Sequence, residues 1–211
     1  MKLYEFGPTR SIRARWTLQE LGVDFESETV NLMKGEHQRP EFRAINPAGK
    51  IPVLVDGDLV LTESVAIVLY LAEKYPAKGL LPKDQKQRAD AYRWLLFAAT
   101  ELEQPLWRIS RNTFLYPEEQ RIPADIPIAK REFREMAAVA DAHLRGRKFL
   151  VGDSAGVADF VMAYTLDWGS QQELLDGFPA LEEYLERMYD RPQAALRIAD
   201  AFARVQAAAA R

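Results

Sequence analysis

The residues with the most chemical content form the stretch Ile45-Asn46-Pro47-Ala48-Gly49-Lys50-Ile51-Pro52-Val53-Leu54, followed further on by Glu63-Ser64. Pro52 stands at the start of an apolar, strand-like run. A proline in a sheet must sit at an edge or a strand start, because it has no N–H to give. Ile51 before it would offer an unpaired backbone N–H and C=O, to which a peptide-like ligand could pair as an added strand. A cis bond at Ile51-Pro52 would bend the chain to present those groups. Ser64 opens a helical pattern. Its hydroxyl and backbone N–H, with the positive end of the helix dipole, suit a ligand carboxylate. Glu63 beside it suits an ammonium group. Ser64 taken alone would simply cap the helix; the features together describe a site for a zwitterionic peptide end.

Other chemistries lack their parts. The chain has no cysteine, so it forms no disulfide, thiolate metal site or thiol intermediate of its own, and any thiol must arrive on a ligand. The two histidines, His37 and His143, belong to no spaced ligand pair, so no metal is expected. Gly152-Asp153-Ser154-Ala155-Gly156 matches the nucleophile elbow of serine hydrolases. That triad needs a histidine after the serine, and none follows position 143.

The elements that must position these residues fall into two groups. Residues 2–6 read as a strand broken by Gly7-Pro8-Thr9. Ala14, Thr17, Leu18 and Leu21 form the stripe of a helix, with Gly22 at its C′ position. Residues 25–32 read as a second strand, 35–39 as a polar loop, and Pro40 opens a short helix. Residues 51–55 and 59–61 are strands joined at Asp56-Gly57-Asp58, a hairpin signal. Helical periodicity returns from Ser64 and stops before Pro76. The order is β-α-β-α-β-β-α, with a parallel first pair and an antiparallel last pair. Beyond a linker at 77–83 the strand signals almost stop. Helices are expected at 84–103, bounded by Pro105, and at 127–145, 157–171, 179–190 and 192–204, with Ala207 to Ala210 fraying.

With 211 residues, 48% of them apolar and 28% charged, the composition is globular. The net charge of −3 gives no general basic surface for nucleic acid. Arg10, Arg13 and Arg15 are too few on one short helix to change that. The N-terminus lacks a signal-peptide apolar stretch. The longest apolar run, residues 65–72, is under half the ~20 residues of a membrane span. A cytoplasmic protein with no membrane partner is the expectation.

The chain resembles the cytosolic glutathione transferases over nearly its whole length. The matching residues are Lys2-Leu3-Tyr4, Leu21-Gly22-Val23, Pro40-Glu41-Phe42, Asn46-Pro47, Ile51-Pro52-Val53-Leu54, Glu63-Ser64, Ala66-Ile67-Val68-Leu69-Tyr70-Leu71, and later Phe149-Leu150-Val151-Gly152-Asp153 with Val157-Ala158-Asp159. The resemblance implies an α/β thioredoxin-like N-terminal domain at 1–76 and an all-α helical C-terminal domain at 84–211. It implies glutathione as co-substrate and a small hydrophobic electrophile as its acceptor. A homodimer built from the first domain of one chain against the second of the other is also implied, with the role of a detoxifying enzyme. The same fold also carries non-catalytic glutathione-binding or interaction modules.

By the same resemblance Ile51, before a cis Pro52, pairs with the cysteinyl part of glutathione. Glu63 and Ser64 hold the γ-glutamyl end, and His37 and Lys50 match positions that reach the glycine carboxylate in some classes. The thiol-activating position holds neither the tyrosine nor the cysteine of other classes; Glu5 and Arg10 stand there. Thr9 falls nearest the serine of the Ser-type classes, with Ser11 two residues on, so a bacterial enzyme of Ser/Thr type is expected. Either hydroxyl could donate to the sulfur, or could merely cap the first helix. Trp107, Arg108, Arg111, Phe114 and Tyr116 lie where the family places its electrophile pocket, and would suit a flat acceptor, neutral or anionic. Asp159 is expected to cap the helix starting near Val157.

Overall fold

The structure, a computed structural model, describes residues 1–209. They form two compact units: Met1–Leu81 together with the chain from Arg191 onward, and Pro82–Asp190.

The first unit follows the expected order: β1 (Lys2–Glu5), α1 (Ser11–Leu21), β2 (Glu26–Thr29), α2 (Pro40–Ile45), β3 (Val53–Asp56), β4 (Leu59–Thr62) and α3 (Ser64–Lys74). The sheet order is β2-β1-β3-β4, with β1 parallel to β2 and β3 antiparallel to both of its neighbours. The helical stripe Ala14, Thr17, Leu18 and Leu21 is buried, as its period requires. Gly22 at φ 61° ends α1 in the left-handed region that glycine tolerates. The second strand is shorter than its apolar pattern suggested. After Thr29 the chain turns through Leu32–Lys34, where the Asn31 side chain accepts the Lys34 N–H at 3.1 Å and so offers the backbone an alternative to a ladder. Val30, Phe42 and Val53 form a buried cluster, with Tyr4, Ile45 and Ile51 packed against it.

The second unit is helical: α4 (Gln85–Phe97), α5 (Glu103–Ser110), α6 (Asp125–Leu144), α7 (Val157–Gln171) and α8 (Pro179–Tyr189). Pro105 does not end the first of these, contrary to expectation. A π turn, Ala98–Leu102, joins α4 to α5, with the Glu103 N–H donating to Ala98 O. The wider turn shifts the carbonyl ladder just before the residue that lacks an N–H, so the chain stays helical through it. A second π turn, Arg111–Leu115, follows α5.

The last helix also departs from the sequence reading. Pro192 lies in a turn, and α9 starts at Ile198 and runs to Ala209; Ala210 lies outside the described residues. From Arg191 the chain belongs to the first unit rather than to a single helical domain spanning 84–211. The Arg191 guanidinium pairs with both Glu20 carboxylate oxygens at 2.7 Å. Ala201 and Val205 of α9 lie against Gly7, where a Cβ would come within 3.3 Å of the Ala201 carbonyl. Both contacts are long-range in sequence, and no local period announces them. Among the described residues no helix is long and apolar enough to cross a membrane.

Candidate functional site

Strand register gathers the site residues of the first unit. Tyr4 stands opposite Val53, and Val53 opposite Thr62. The C-terminal ends of β1 and β4 therefore meet the N-terminal end of β3. That end carries the Phe6 to Thr9 turn, Ile51-Pro52 and Glu63-Ser64. Glu5 pairs with Thr29 at the end of the parallel β1–β2 ladder, so the loop bearing His37 also leaves from this end.

Thr9 is half-buried, and its hydroxyl sits in a knot of bonds. It lies 2.7 Å from Phe6 O and 2.9 Å from Ser11 Oγ, both possible acceptors of its single proton, and it accepts the Ser11 N–H at 3.2 Å. Thr9 thus takes the first N–H of α1 from just before the N-cap, Arg10, at the positive end of the helix. Ser11 is 0% exposed and accepts the Phe6 N–H at 3.3 Å. Glu5 is buried and bound by Arg15 and Ser27.

The Ile51-Pro52 bond is cis. Glu63 is exposed and takes φ 65°, a left-handed conformation uncommon for a residue with a Cβ. Ser64 is buried at the start of α3, and its Oγ accepts from Arg13 Nη1 at 3.3 Å. Arg13 is a residue that sequence reasoning weighed only against nucleic acid and not as part of this site. It is 1% exposed on α1 and sets a cation beside the hydroxyl that heads α3. Its signal was there: a charged residue on the buried face, one helical turn before Thr17. Lys50 is exposed. His37 is half-buried, and its Nδ1 has no hydrogen-bond partner among the described residues. Gly49, at φ +60°, passes so close to His37 that a Cβ would sit 2.9 Å from the His37 carbonyl. Among the described residues no cluster of three or more His, Cys, Asp or Glu side chains is arranged to hold a metal ion.

In the second unit Trp107, Phe114 and Tyr116 are exposed. Trp107 packs edge-on to Trp168, with ring centroids 6.4 Å apart. Arg111 lies over the Tyr116 ring at 5.4 Å and donates to its hydroxyl at 3.2 Å. Arg108, expected as a pocket cation, is committed to carboxylates. Its guanidinium binds Asp125 and Glu132, joining α5 to α6. Asp125 first, then Glu132, holds the Arg108 pKa above its ordinary value, and Arg108 in turn holds the Asp125 carboxyl below the usual carboxylate range.

Residues 1–73 match the family described as Glutathione S-transferase, N-terminal domain, and residues 108–192 match Glutathione S-transferase, C-terminal domain. Among curated relatives, Glutathione S-transferase F10 of Arabidopsis thaliana is 44% identical over 154 residues, 71% of each chain. A solved glutathione-S-transferase from Xylella fastidiosa superposes with a TM-score of 0.82 at 28% identity, covering 96% of this chain and 97% of that one. The glutathione transferase URE2P6 of Phanerochaete chrysosporium, solved in complex with oxidized glutathione, superposes with a TM-score of 0.82 at 26% identity, covering 98% and 96%. The curated relatives are mostly plant proteins, so they do not single out a bacterial subclass.

Proposed function

We propose, for a chain that belongs to the glutathione S-transferase family and is an enzyme of that family, a mechanism in which a hydroxyl at the head of α1 stabilises the thiolate of bound glutathione. The observation that carries this reading is the convergence of the Thr9 hydroxyl, the Ile51 backbone and Glu63-Ser64 at one end of the sheet. Ile51 pairs with the cysteinyl main chain, Glu63 meets the γ-glutamyl ammonium, and Ser64 with the α3 N-terminus meets its carboxylate. His37 and Lys50 serve the glycine carboxylate.

A free thiol near pKa ~8.5 is mostly protonated at neutral pH. Lowering it by ~2 units needs ~2.7 kcal/mol of preference for the thiolate. One charge-assisted hydrogen bond plus a helix dipole is of that size. The thiolate then attacks an electrophilic carbon, the S–C bond forming as the leaving group departs, while binding holds both reactants in place. The acceptor is a small hydrophobic electrophile, for which the second unit offers the exposed aromatic side chains Trp107, Phe114 and Tyr116. We place the enzyme in the cytoplasm as a detoxifying homodimer of Ser/Thr type.

Ultraviolet titration of bound glutathione tests the mechanism. Thiolate absorbance present below pH ~7 is the expected result. Glutathione bound with an unshifted thiol would instead favour a binding module on the same fold.

A further inference from the structure

Asn46 closes α2 and begins the loop that leads to Ile51. It is 4% exposed, and each of its polar groups is used. Its N–H donates to Phe42 O at 2.9 Å, and its carbonyl accepts the Gly49 N–H at 2.8 Å. Its Oδ1 accepts the Ala48 N–H at 3.1 Å, and its Nδ2 donates to Lys50 O at 2.6 Å. Ending α2 requires only the first of these bonds. The others wind residues 46–50 around one side chain, and the last grips the carbonyl at the loop's far end.

We propose that Asn46 is a positioning residue for glutathione: its amide holds the Lys50–Ile51 peptide so that the Ile51 N–H faces the ligand. The peptide unit is planar, so a carbonyl pinned at Lys50 pins the N–H on its other side, which is that of Ile51. A hydrogen bond accepted by the carbonyl also polarises the amide and strengthens that N–H as a donor. The same winding brings Gly49 against His37, so one side chain sets the backbone contact and the loop's approach to His37. The inference rests on the proposed glutathione site.

Asn46→Asp is the informative change. It keeps an acceptor for the Ala48 N–H but turns a carboxylate oxygen toward the Lys50 carbonyl. Calorimetric titration with glutathione should show a Kd raised roughly 10-fold or more, the loss expected for one buried hydrogen bond replaced by repulsion. The bound thiol's pKa, and kcat at saturating glutathione with 1-chloro-2,4-dinitrobenzene, should stay within about twofold, because Thr9 is untouched. Asn46→Ala removes the donor without burying a charge; it carries the same expectation and keeps the test open if Asn46→Asp does not fold. Asp159→Ala, a destabilising change in the second unit, is the control and should leave Kd unchanged. A variant Kd within twofold of the parent overturns the assignment, as does an equal loss of affinity in Asp159→Ala. A parent protein that does not bind glutathione overturns the proposed function itself, a distinguishable failure.

Discussion

A hydroxyl carries one proton, and in Thr9 that proton has two internal takers, Phe6 O and Ser11 Oγ. To serve a sulfur it must turn away from both. Ser11, fully buried, supports the turn from within. Thr9→Ala should leave glutathione affinity nearly intact, raise the bound thiol's pKa, and slow conjugation ~10- to 100-fold, the effect of ~1.4–2.7 kcal/mol. Ser11→Ala should slow it less but lower Tm, because the Phe6 N–H loses its acceptor. Steady-state kinetics and a thermal melt on both variants decide the matter; the reverse ranking of rates would move the activating role to Ser11. Capping and thiolate binding use the same geometry at a helix N-terminus, so residue types alone could not separate them.

Among the elements, α7 depends on one carboxylate. Asp159 Oδ2 accepts the Gly156 N–H at 2.9 Å, and its Oδ1 accepts the Leu150 N–H and the Tyr184 hydroxyl, each at 2.9 Å. Gly156 has no side chain to return the bond, so the Asp159 N–H goes to its carbonyl at 3.0 Å. In Asp159→Ala the buried Leu150 N–H and the part-buried Gly156 N–H lose their acceptor, and the Tyr184 hydroxyl keeps only the Asp159 main-chain carbonyl at 3.3 Å. The expected cost is roughly 2–4 kcal/mol, above that of an ordinary cap, or a Tm lower by roughly 5–15 °C; an unchanged melt would show that the cap is not structural. The α5–α6 clasp predicts a pH dependence. Arg108 holds the folded-state pKa of Asp125 below its unfolded value. In the window between them the unfolded chain binds more protons, so the clasp stabilises fully above pH ~4 and fades as pH falls through the lowered value. Urea unfolding followed from pH ~5 to ~2.5 should show a shallower acid loss in Asp125→Asn than in the parent. Equal slopes would mean that the pair adds nothing to stability.

For the whole molecule the family resemblance predicts a two-fold dimer, with α3 and α4 supplying the contact. Sedimentation at micromolar concentration should give about 48 kDa, twice the 24.0 kDa chain; a species at the mass of one chain would refute it. At this scale the sequence was least legible. It announced two regions, yet not that the chain would return from Arg191 to the first of them. A bidentate pair between Arg191 and Glu20 leaves no periodic trace, because its partners are chosen only after the intervening elements have packed.

By itself the sequence determined whatever depends on short-range period and backbone chemistry. The α1 stripe, the Asp56-Gly57 hairpin, the strand directions and the α7 boundaries all follow from spacings of a few residues. The family came from resemblance, on motifs such as Ile51-Pro52-Val53-Leu54 and Glu63-Ser64, and not from these spacings. Only the tertiary structure decided which charges are available. Arg108 reads in sequence as a pocket cation and Arg13 as one of three helix charges too few for nucleic acid, yet the first is held by two carboxylates from α6 and the second is buried beside Ser64. The sequence names each charge, but its environment is set by residues brought from another helix. The same holds for Pro105: its missing N–H is a local fact, and whether it stops the helix depends on the π turn that precedes it.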